Sequence, residues 1–320
     1  MRARITGTGS CLPGLRVTND DLGKILDTSD EWIRSRTGIG ARHIAVEETT
    51  AGLSAEAARQ ALKEAGVRPE ELDLIIAATI SPDHIVPPLS CEIQKDIGAV
   101  NAAAYDLCAA CSGFVFALNT AQAYIQCGMY QKILIVGAEI LSKMMDWSDR
   151  STCVLFGDGA GAAVICADEQ GLLAGVQGSD GLKGDVLSCG GRPVCNPFAN
   201  RQPASQYVQM NGQEVYKFAV RTVPKCIEEA LNRAGLKPEE ISLFLLHQAN
   251  LRIIDAVAKR LKQPAEKFPV CLEECGNISA ASIPILLDTV NKDGKLKRGD
   301  KIVLAGFGAG LTWGAAVLVW

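Results

Sequence analysis

An internal repeat is the feature that most constrains what this chain can fold into. The segment ALKEAGVRPEELDLIIAAT, residues 61–79, matches ALNRAGLKPEEISLFLLHQ, residues 230–248, and eight residues recur 169 positions later. Each copy has the pattern of a helix end, a glycine cap, a short acidic turn and an apolar strand. Because helices that alternate with apolar strands are typical of α/β proteins, the repeat predicts an α/β fold built twice.

A second echo supports the same interpretation. FGDGAGAAVI, which starts at Phe156, resembles FGAGLTWGAAVL, which starts at Phe307. Two matches in the same order, near the ends of both halves, argue against chance. We therefore predict two similar α/β halves, residues 1–170 and 171–320, packed in layers with a site where they meet.

Composition, charge and cysteine use exclude several classes of protein. Of the 320 residues, 48% are hydrophobic and 21% are charged, which is ordinary for a compact globular protein. The net charge of −4 argues against a general nucleic-acid binder, since such proteins are normally basic. We find no run of about 18 apolar residues and no apolar signal-peptide stretch, so we expect no membrane span and no secretion. The twelve scattered cysteines then predict reduced thiols in a cytoplasmic protein.

Cys111 is the candidate nucleophile. It lies in AAAYDLCAACSGFVFAL, residues 102–118, where an apolar strand runs into a turn of small residues and then a helix. This placement matches a nucleophile elbow, and the free N–H groups and dipole of a helix start should favour a thiolate. The alternatives are a buried structural thiol, or a redox or metal pair with Cys108 in the CxxC spacing.

His247 is a second candidate, because it follows the apolar strand of LFLLHQANLRII and a helix begins soon after it. Ligands commonly meet α/β sheets at the carboxyl ends of strands. The repeat pairs His247 with Ala78, so the second half has gained a titratable group where the first half has none. A satisfied core histidine is the alternative.

Asn277 lies in ECGNISAASIPILLDTV, just before a predicted helix. Its side chain is either a helix cap or a neutral N–H donor in the site. By the repeat offset Cys111 corresponds to Ala280, so the turn at Asn277 mirrors the nucleophile turn of the other half. This symmetry predicts that Cys111, His247 and Asn277 converge on one centre.

Six motifs together resemble the β-ketoacyl-acyl carrier protein synthase III family, which has the thiolase-like fold. They are DTSDEWIRSRTGI (27–39), DLCAACSGF (106–114), FGDGAGAA (156–163), HQANLRI (247–253), GNISAASIP (276–284) and GFGAGLTWG (306–314). The resemblance covers essentially the whole chain, and the motifs are highly specific in combination. It implies a homodimer that starts type II fatty acid synthesis by condensing acyl-CoA with malonyl-acyl carrier protein. No metal or organic cofactor is implied.

The resemblance also implies roles for single residues. Cys111 would be the acylated nucleophile, and His247 and Asn277 would promote decarboxylation of malonyl-carrier protein. Backbone amides of Cys111 and Ala309 would hold the oxyanion. The positions that match CoA-binding residues of the family are Thr28, Trp32, Arg36, Arg150 and Asn250.

Three positions depart from the family pattern. Ile278 stands where threonine is frequent, and Ala309 replaces a glycine of the usual turn. Alanine is tolerable there if its φ stays negative. Val86 occupies a position at the base of the acyl pocket where some members carry phenylalanine, so the smaller residue predicts room for a longer or branched primer.

An acidic chain needs a local basic surface to bind an acidic carrier protein. The helix after HQAN offers Arg252, Lys259 and Arg260, and Lys217 resembles a family contact. Cations near the end of a helix are favourable in any case, so a purely structural role is the alternative for the last two of that helix.

Several other functions compete with this interpretation. A thiolase would use a second cysteine as base, but the glycine turn after Phe307 holds no cysteine. A hydroxymethylglutaryl-CoA synthase would use a glutamate, but none stands beside Cys111 in its turn. Chalcone-synthase-type chains are longer. A condensing enzyme of polyketide or alkylquinolone type with the same three residues remains open. The other classes are a non-catalytic scaffold and a zinc or redox protein that uses Cys108, Cys111, Cys271 and Cys275.

Overall fold

The computed structural model describes residues 1–201 and 205–320. The strands are β1 (Arg2–Cys11), β2 (Leu15–Thr18), β3 (Ala41–Ile44), β4 (Leu74–Ala78), β5 (Ala103–Leu107), β6 (Lys132–Ile140), β7 (Asp158–Asp168), β8 (Leu172–Ser179), β9 (Leu187–Ser188), β10 (Cys195–Asn196), β11 (Ala199–Asn200), β12 (Gln209–Met210), β13 (Leu243–Leu246), β14 (Lys301–Gly308) and β15 (Thr312–Val319). The helices are α1 (Asn19–Gly23), α2 (Asp30–Thr37), α3 (Thr50–Ala65), α4 (Leu89–Ile97), α5 (Gly113–Gln126), α6 (Gly212–Ala234), α7 (Leu251–Leu261), α8 (Leu272–Cys275) and α9 (Ser282–Lys292).

Two sheets repeat one strand pattern. The first has the order β1-β7-β6-β4-β5, and the second, taken in the same direction, has the order β8-β15-β14-β13. In both, the two inner neighbours β6–β4 and β14–β13 are parallel, while the pairs β7–β6 and β15–β14 are antiparallel. The repeated segments supply β4 and β13, which hold equivalent places. The predicted duplication is therefore present in the fold.

The sheets and helices form five layers. Helices α3 and α4 cover the outer face of the first sheet, α5 and α9 lie between the sheets, and α6 and α7 cover the outer face of the second. Strand β4 shows why its sequence is continuously apolar: Leu74 and Ile76 pack toward the central helices, whereas Ile75 packs toward α3 and α4. The middle layer brings the starts of α5 and α9 to the centre of the molecule.

The repeated helices end as the sequence predicts. Helix α3 ends before Gly66 and α6 ends before Gly235, and these glycines have φ of +63° and +68°. A residue in this left-handed region satisfies the last carbonyls of a helix at little cost when it is glycine. Within residues 1–201 and 205–320, no helix has the length and apolarity needed to cross a membrane.

Only part of the second sequence echo occupies equivalent positions in the two halves of the fold. Gly161 on β7 and Gly314 on β15 occupy equivalent strands, but Phe156 precedes β7 whereas Phe307 lies on β14. The reason is the connection between the strands: residues 141–157 separate β6 from β7, while a turn of three residues joins β14 to β15. The pairing of the two phenylalanines is therefore wrong, although the pairing of the glycine-alanine runs holds.

Candidate active site

Two short turns meet at the centre of the molecule. One is the Cys111 turn (Ala110–Ser112), which leads into α5, and the other is the Ala280 turn (Ser279–Ala281), which leads into α9. Ala110 and Ser279, which correspond by the repeat, have φ of +45° and +43°. Left-handed backbone costs a non-glycine residue about 1–2 kcal/mol, and such strain clusters at functional sites.

Glycines on the opposite sheets let the turns approach. A Cβ on Gly137 of β6 would lie 2.2 Å from the carbonyl oxygen of Ala280, and a Cβ on Gly306 of β14 would lie 3.0 Å from the Cα of Ser112. Gly137 and Gly306 also correspond by the repeat. Each turn therefore rests on the sheet of the other half, and no side chain larger than hydrogen fits between them without movement.

Cys111 is buried in the first of these turns. Burial raises the pKa of its thiol to about 12, although the nearby Ser279 side chain acts in the opposite direction. The expected thiolate is therefore wrong for the isolated chain, because full burial disfavours a charged group by more than a helix start favours it. The resting group is a thiol that must lose its proton before or during acyl transfer.

His247 lies directly after β13, as predicted. Its backbone N–H donates to Ala305 O at 2.8 Å, and its ring packs edge-on against Phe307 with 5.1 Å between ring centres. Burial lowers the pKa of the imidazole to about 3, so the ring is neutral near pH 7. Its Nδ1 lies 2.6 Å from Ser282 Oγ, which is also 2.9 Å from Ser279 O. The hydroxyl has one proton: when it donates to Nδ1 the ring proton is on Nε2, and when it donates to Ser279 O the ring proton is on Nδ1.

Asn277 is held by backbone and side chain together. Its N–H donates to Leu155 O at 2.9 Å, and its carbonyl accepts from Gly157 N at 3.0 Å. Its Oδ1 accepts from Ser279 N at 2.9 Å, which leaves the Nδ2 amide as a free donor. Asn277 does not cap α9, which begins at Ser282.

A cavity of about 110 Å³ brings the three candidate residues together. It is lined by Cys111, His247 and Asn277, with Phe307 and Gly308 of β14 beside them. Gly308 is needed here, since a Cβ at this position would lie 2.8 Å from the Cβ of Cys111. A nucleophile and two neutral donor side chains thus share one enclosed space.

Ala309 lies on the turn after β14, and both it and Cys111 line a small apolar pocket of about 60 Å³. Ala309 is not among the non-glycine residues with positive φ, so the condition for alanine at this position is met. The Thr312 hydroxyl lies 3.0 Å from Ala309 O and 2.7 Å from Ser112 Oγ. These contacts tie the Ala309 turn to the Cys111 turn.

A larger cavity of about 1190 Å³ connects the central one to the surface, since Leu155 and Asn250 line both. Trp32 and Arg36 also line this outer cavity. The guanidinium carbons of Arg36 and Arg150 lie 4.6 Å and 5.2 Å from the centre of the Trp32 ring. These cation–π contacts place two guanidinium groups and an aromatic ring side by side at the entrance of the cavity.

Three of the five predicted CoA-binding residues thus line the entrance: Trp32, Arg36 and Asn250. Arg150 does not line this cavity, but its guanidinium lies over the Trp32 ring. Thr28 stands outside the lining, and its partly buried hydroxyl has no hydrogen-bond partner. Asn250 also caps α7, because its Oδ1 accepts from the backbone N–H at the helix start.

The predicted carrier-binding cations fall into two groups. Lys217 and Arg252 line the outer cavity, and the Arg252 guanidinium donates to Ser35 O at 2.7 Å. Lys259 and Arg260 are exposed in the last turn of α7 and do not line that cavity. The structure therefore brings two of the four cations to the entrance.

Val86 does not line the small apolar pocket of its own chain. It is 79% exposed and lies in the loop before α4. The walls of the pocket come from other residues, including Leu141, Phe156 and Val208. A position in a surface loop carries no sequence signal of the direction in which its side chain points.

Sequence reasoning missed Phe307, Ser282 and Glu139 as members of the site. Phe307 and Ser282 contact the His247 ring, and the Glu139 charge influences Cys111. The glycines that flank Phe307 were the available signal, since they indicate close approach of β14 to another backbone.

The cysteines proposed for the zinc or redox alternative do not form a cluster. All twelve cysteines are free thiols. Cys271 and Cys275 are neighbours, but in the part of the chain that the structure describes no group of three His, Cys, Asp or Glu side chains is arranged to hold a metal ion.

Comparison with known proteins gives concordant matches. The family description "3-Oxoacyl-[acyl-carrier-protein (ACP)] synthase III" matches residues 105–181, and the description of its C-terminal region matches residues 231–320. A β-ketoacyl-[acyl-carrier-protein] synthase III of Clostridium acetobutylicum is 51% identical over 99% of this chain and 98% of its own length.

Solved structures agree in fold. The 3-oxoacyl-[acyl-carrier-protein] synthase III of Aquifex aeolicus is 46% identical, with a TM-score of 0.93 over 99% of this chain and all of that one. The priming β-ketosynthase of a polyketide biosynthetic pathway is 36% identical, with a TM-score of 0.93 over 99% of this chain and 96% of that one.

Proposed function

The chain belongs to the 3-oxoacyl-[acyl-carrier-protein] synthase III family and has its thiolase-like fold, and on this premise we propose that it starts type II fatty acid synthesis. It transfers an acyl group from acyl-CoA to Cys111 and condenses it with malonyl-acyl carrier protein. The observation that carries this proposal is the single cavity that Cys111, His247 and Asn277 share.

In the first half-reaction the Cys111 sulfur attacks the thioester carbonyl of acyl-CoA, and CoA leaves as its thiol. Splitting the condensation into two steps through a covalent intermediate is the general benefit of a cysteine nucleophile. Cys111 and Ala309 line the same small pocket, and we propose that their N–H groups hold the oxyanion of the tetrahedral intermediate.

In the second half-reaction the malonyl thioester loses CO₂ and becomes an enolate. We propose that the single Ser282 hydroxyl proton goes to Nδ1 of His247 and not to Ser279 O, so that the Nε2–H of His247 and the Nδ2–H of Asn277 bind the enolate oxygen. Both are neutral donors, because burial keeps the imidazole uncharged. The carbanion then attacks the acyl-Cys111 carbonyl and yields a 3-oxoacyl-carrier protein.

The outer cavity supports the binding of both thioesters through one entrance. We propose that the CoA nucleotide lies near Trp32, Arg36 and Arg150, with Thr28 and Asn250 on the same side. The Arg150 guanidinium lies over the Trp32 ring. When the aromatic base of CoA binds there, the guanidinium would either move away from the ring or stack on the base. We propose that Lys217 and Arg252 at this rim attract the acidic carrier protein, while Lys259 and Arg260 extend the basic surface along α7.

The small apolar pocket beside Cys111 supports a short acyl primer. Its volume is about 60 Å³, and its lining is almost entirely apolar. Relatives named β-ketoacyl-[acyl-carrier-protein] synthase III, at 45% to 51% identity over nearly the whole chain, favour fatty acid synthesis over the polyketide or alkylquinolone alternative.

We further propose that the chain divides into halves at 1–170 and 171–320, acts as a homodimer in the cytoplasm and needs no metal or organic cofactor. Strand β5 supports dimer formation, since it is an unpaired sheet edge beside the exposed Ile85 and Val86. The twelve free thiols suit a reducing compartment. Sedimentation analysis of the pure protein tests the dimer.

The proposed reaction can be tested with purified components. Acetyl-CoA and malonyl-carrier protein should yield CoA, CO₂ and acetoacetyl-carrier protein in equal amounts, and Cys111→Ala should abolish the product. A panel of acyl-CoA thioesters tests the small pocket, and we expect short chains to react faster than long or aromatic ones. Release of CoA without the 3-oxoacyl product would refute the function.

A further inference from the structure

A buried glutamate behind the nucleophile has no role in the mechanism so far. Glu139, near the end of β6, has no exposed surface. Its Oε2 accepts from Ser81 Oγ at 2.5 Å, from Ile80 N at 3.1 Å and from Thr79 Oγ1 at 3.3 Å, while its Oε1 has no hydrogen-bond partner. An unpaired carboxylate oxygen in a protein interior is costly and calls for an explanation.

Ser279 lies near both this carboxyl and the Cys111 thiol. Its side chain lowers the pKa of both groups, and Ser279 lines the small pocket together with Cys111. In the resting geometry, however, its Oγ makes no well-formed hydrogen bond. A buried, unpaired hydroxyl near two titratable groups, on a residue with a backbone φ of +43°, is a candidate for a proton bridge between them.

We propose that Ser279 and Glu139 relay the proton of Cys111. This inference rests on the proposed acyl transfer to Cys111 and adds the group that accepts the thiol proton. As Cys111 Sγ attacks the acyl-CoA carbonyl, its proton passes to Ser279 Oγ while the Ser279 proton passes to Glu139 Oε1.

The proton balance of the full cycle is consistent with this relay. CoA leaves as a thiolate and takes a proton from water, while Glu139 holds the proton of the thiol. Loss of CO₂ and carbon–carbon bond formation then expel Cys111 as a thiolate, and Glu139 returns the proton through Ser279. One proton is consumed from solvent per condensation, on CoA, and the enzyme returns to its starting state.

His247 is the competing proton acceptor, and the structure disfavours it. Burial lowers the pKa of His247 to about 3 and raises that of Glu139 to about 7, so the glutamate is the stronger base. Moreover, the neutral His247 is needed as a donor to the enolate. A carboxylate behind Cys111 leaves the imidazole free for that task.

The surroundings of Glu139 contain few other charges. The end of β4 presents hydroxyls and an amide, β7 pairs Gly159 with Glu139, and the Ala280 turn presents the Ala280 N–H. Asp158, the next acid along β7, bonds to Ser142 Oγ at 2.6 Å and Ala45 N at 2.8 Å instead. Among the described residues that face Glu139, Cys111 is the titratable group that senses its charge.

The test compares Glu139→Gln with the wild type in the two half-reactions. Glutamine keeps the size and the acceptor oxygen for Ser81 but cannot hold the proton. We expect the single-turnover rate of CoA release from acetyl-CoA to fall by about 100-fold or more, the typical contribution of a positioned base. Ser279→Ala should lower this rate in the same direction, and both variants should keep malonyl decarboxylation, which depends on His247 and Asn277.

The pH profile separates a proton acceptor from a merely structural residue. Since the base must be a carboxylate, wild-type acylation should rise with pH through an ionisation near 7 and then level off. Glu139→Gln should lose that plateau, and its rate should keep rising with pH because only the spontaneous thiolate reacts.

Three results would overturn the relay. They are a Glu139→Gln variant that acylates at the wild-type rate, a variant that loses both half-reactions equally together with thermal stability, and a wild-type acylation rate that is flat between pH 6 and pH 8. A flat pH profile of the wild type would overturn the relay even if the Glu139→Gln variant does not fold. If wild-type protein is not acylated by acetyl-CoA at all, the proposed function fails rather than the relay alone.

Discussion

The Cys111 turn and the Ala280 turn have nearly the same backbone but different chemistry. Both follow the small-residue pattern of the repeat, both open with a residue at φ near +45°, and both lead into a buried helix of the middle layer. One presents a thiol, and the other presents the Ala280 methyl group. The comparison teaches that the strained turn came with the duplicated fold and that its chemistry was set by single side chains.

The strand that faces each turn shows the same division. Gly308 on β14 lies against Cys111, and the corresponding position on β6 is Glu139, which lies near Ser279 and Ala280. The Cys111 turn therefore has room for a substrate carbonyl, whereas the Glu139 carboxyl occupies the corresponding space beside the Ala280 turn. The Ala280 turn also holds the Asn277 side chain, because Ser279 N donates to Asn277 Oδ1. One turn offers a nucleophile, and the other positions the groups that serve it.

The largest effect should come from removing the donors of the second half. His247→Ala and Asn277→Ala should lower malonyl decarboxylation by about 100-fold to 1,000-fold, because each removes a hydrogen bond to the enolate. Transfer of acetyl from CoA should change far less. Single-turnover assays of each half-reaction measure this split, and an equal loss of both in Asn277→Ala would contradict the division of roles.

Stability should distinguish the two glycine contacts. Gly137→Ala should cost about 3 kcal/mol and Gly306→Ala about 1 kcal/mol, because added volume in a packed core forces backbone movement. The asymmetry follows from the distances, since the new Cβ would meet the Ala280 oxygen at 2.2 Å in the first case and the Ser112 Cα at 3.0 Å in the second. Urea unfolding measures both, and Gly181→Ala, where a Cβ meets nothing within 4 Å, is the control. The reverse order would show that the two turns are not packed as described.

A charge change at the entrance should have a smaller effect. Arg252→Glu should raise the KM for malonyl-carrier protein several-fold and flatten its salt dependence, because rim charges mainly tune association. Acylation by acetyl-CoA should stay near the wild-type rate, and the exposed Lys63→Glu on α3 serves as the matched control. If both half-reactions fall together in Arg252→Glu, the arginine supports the shared entrance through Ser35, and the carrier-binding surface lies elsewhere.

The smallest expected effect concerns His247, which should not titrate in the range where a free histidine does. Because burial lowers the pKa of His247 to about 3, its imidazole should stay neutral from pH 8 to pH 5. An unfolded histidine gains its proton near pH 6.5, so this group should make the free energy of unfolding fall as the pH drops below that value. Nitrogen chemical shifts of the ring, assigned with His247→Ala, measure its protonation state. A protonated ring at pH 6 would argue against the neutral donor.

The sequence predicts the frame of the fold and the members of the central cavity well. Helices α3 and α6 end where their glycine caps indicate, and the repeat alone relates Cys111 to the turn beside Asn277. These features depend on local patterns or on self-similarity, both of which a single sequence carries.

What the sequence does not predict depends on contacts between distant segments. The burial that turns Cys111 into a thiol of high pKa comes from both sheets, and Glu139 reaches its neighbourhood from the end of β6. The exposure of Val86 and the distance of Lys259 from the entrance also follow from packing, because loops and helix faces have no pattern that reports which surface they share.

The location of the acyl group between the two half-reactions tests the division of labour most directly. Wild type and Asn277→Ala are mixed with acetyl-CoA, digested and mapped by mass spectrometry before and after malonyl-carrier protein is added. We expect the acetyl group on Cys111 alone among the twelve cysteines in both proteins, and we expect malonyl-carrier protein to clear it rapidly only from the wild type. An acetyl group on another cysteine, or an Asn277→Ala variant that is never acylated, would contradict the assignment of one half-reaction to each turn.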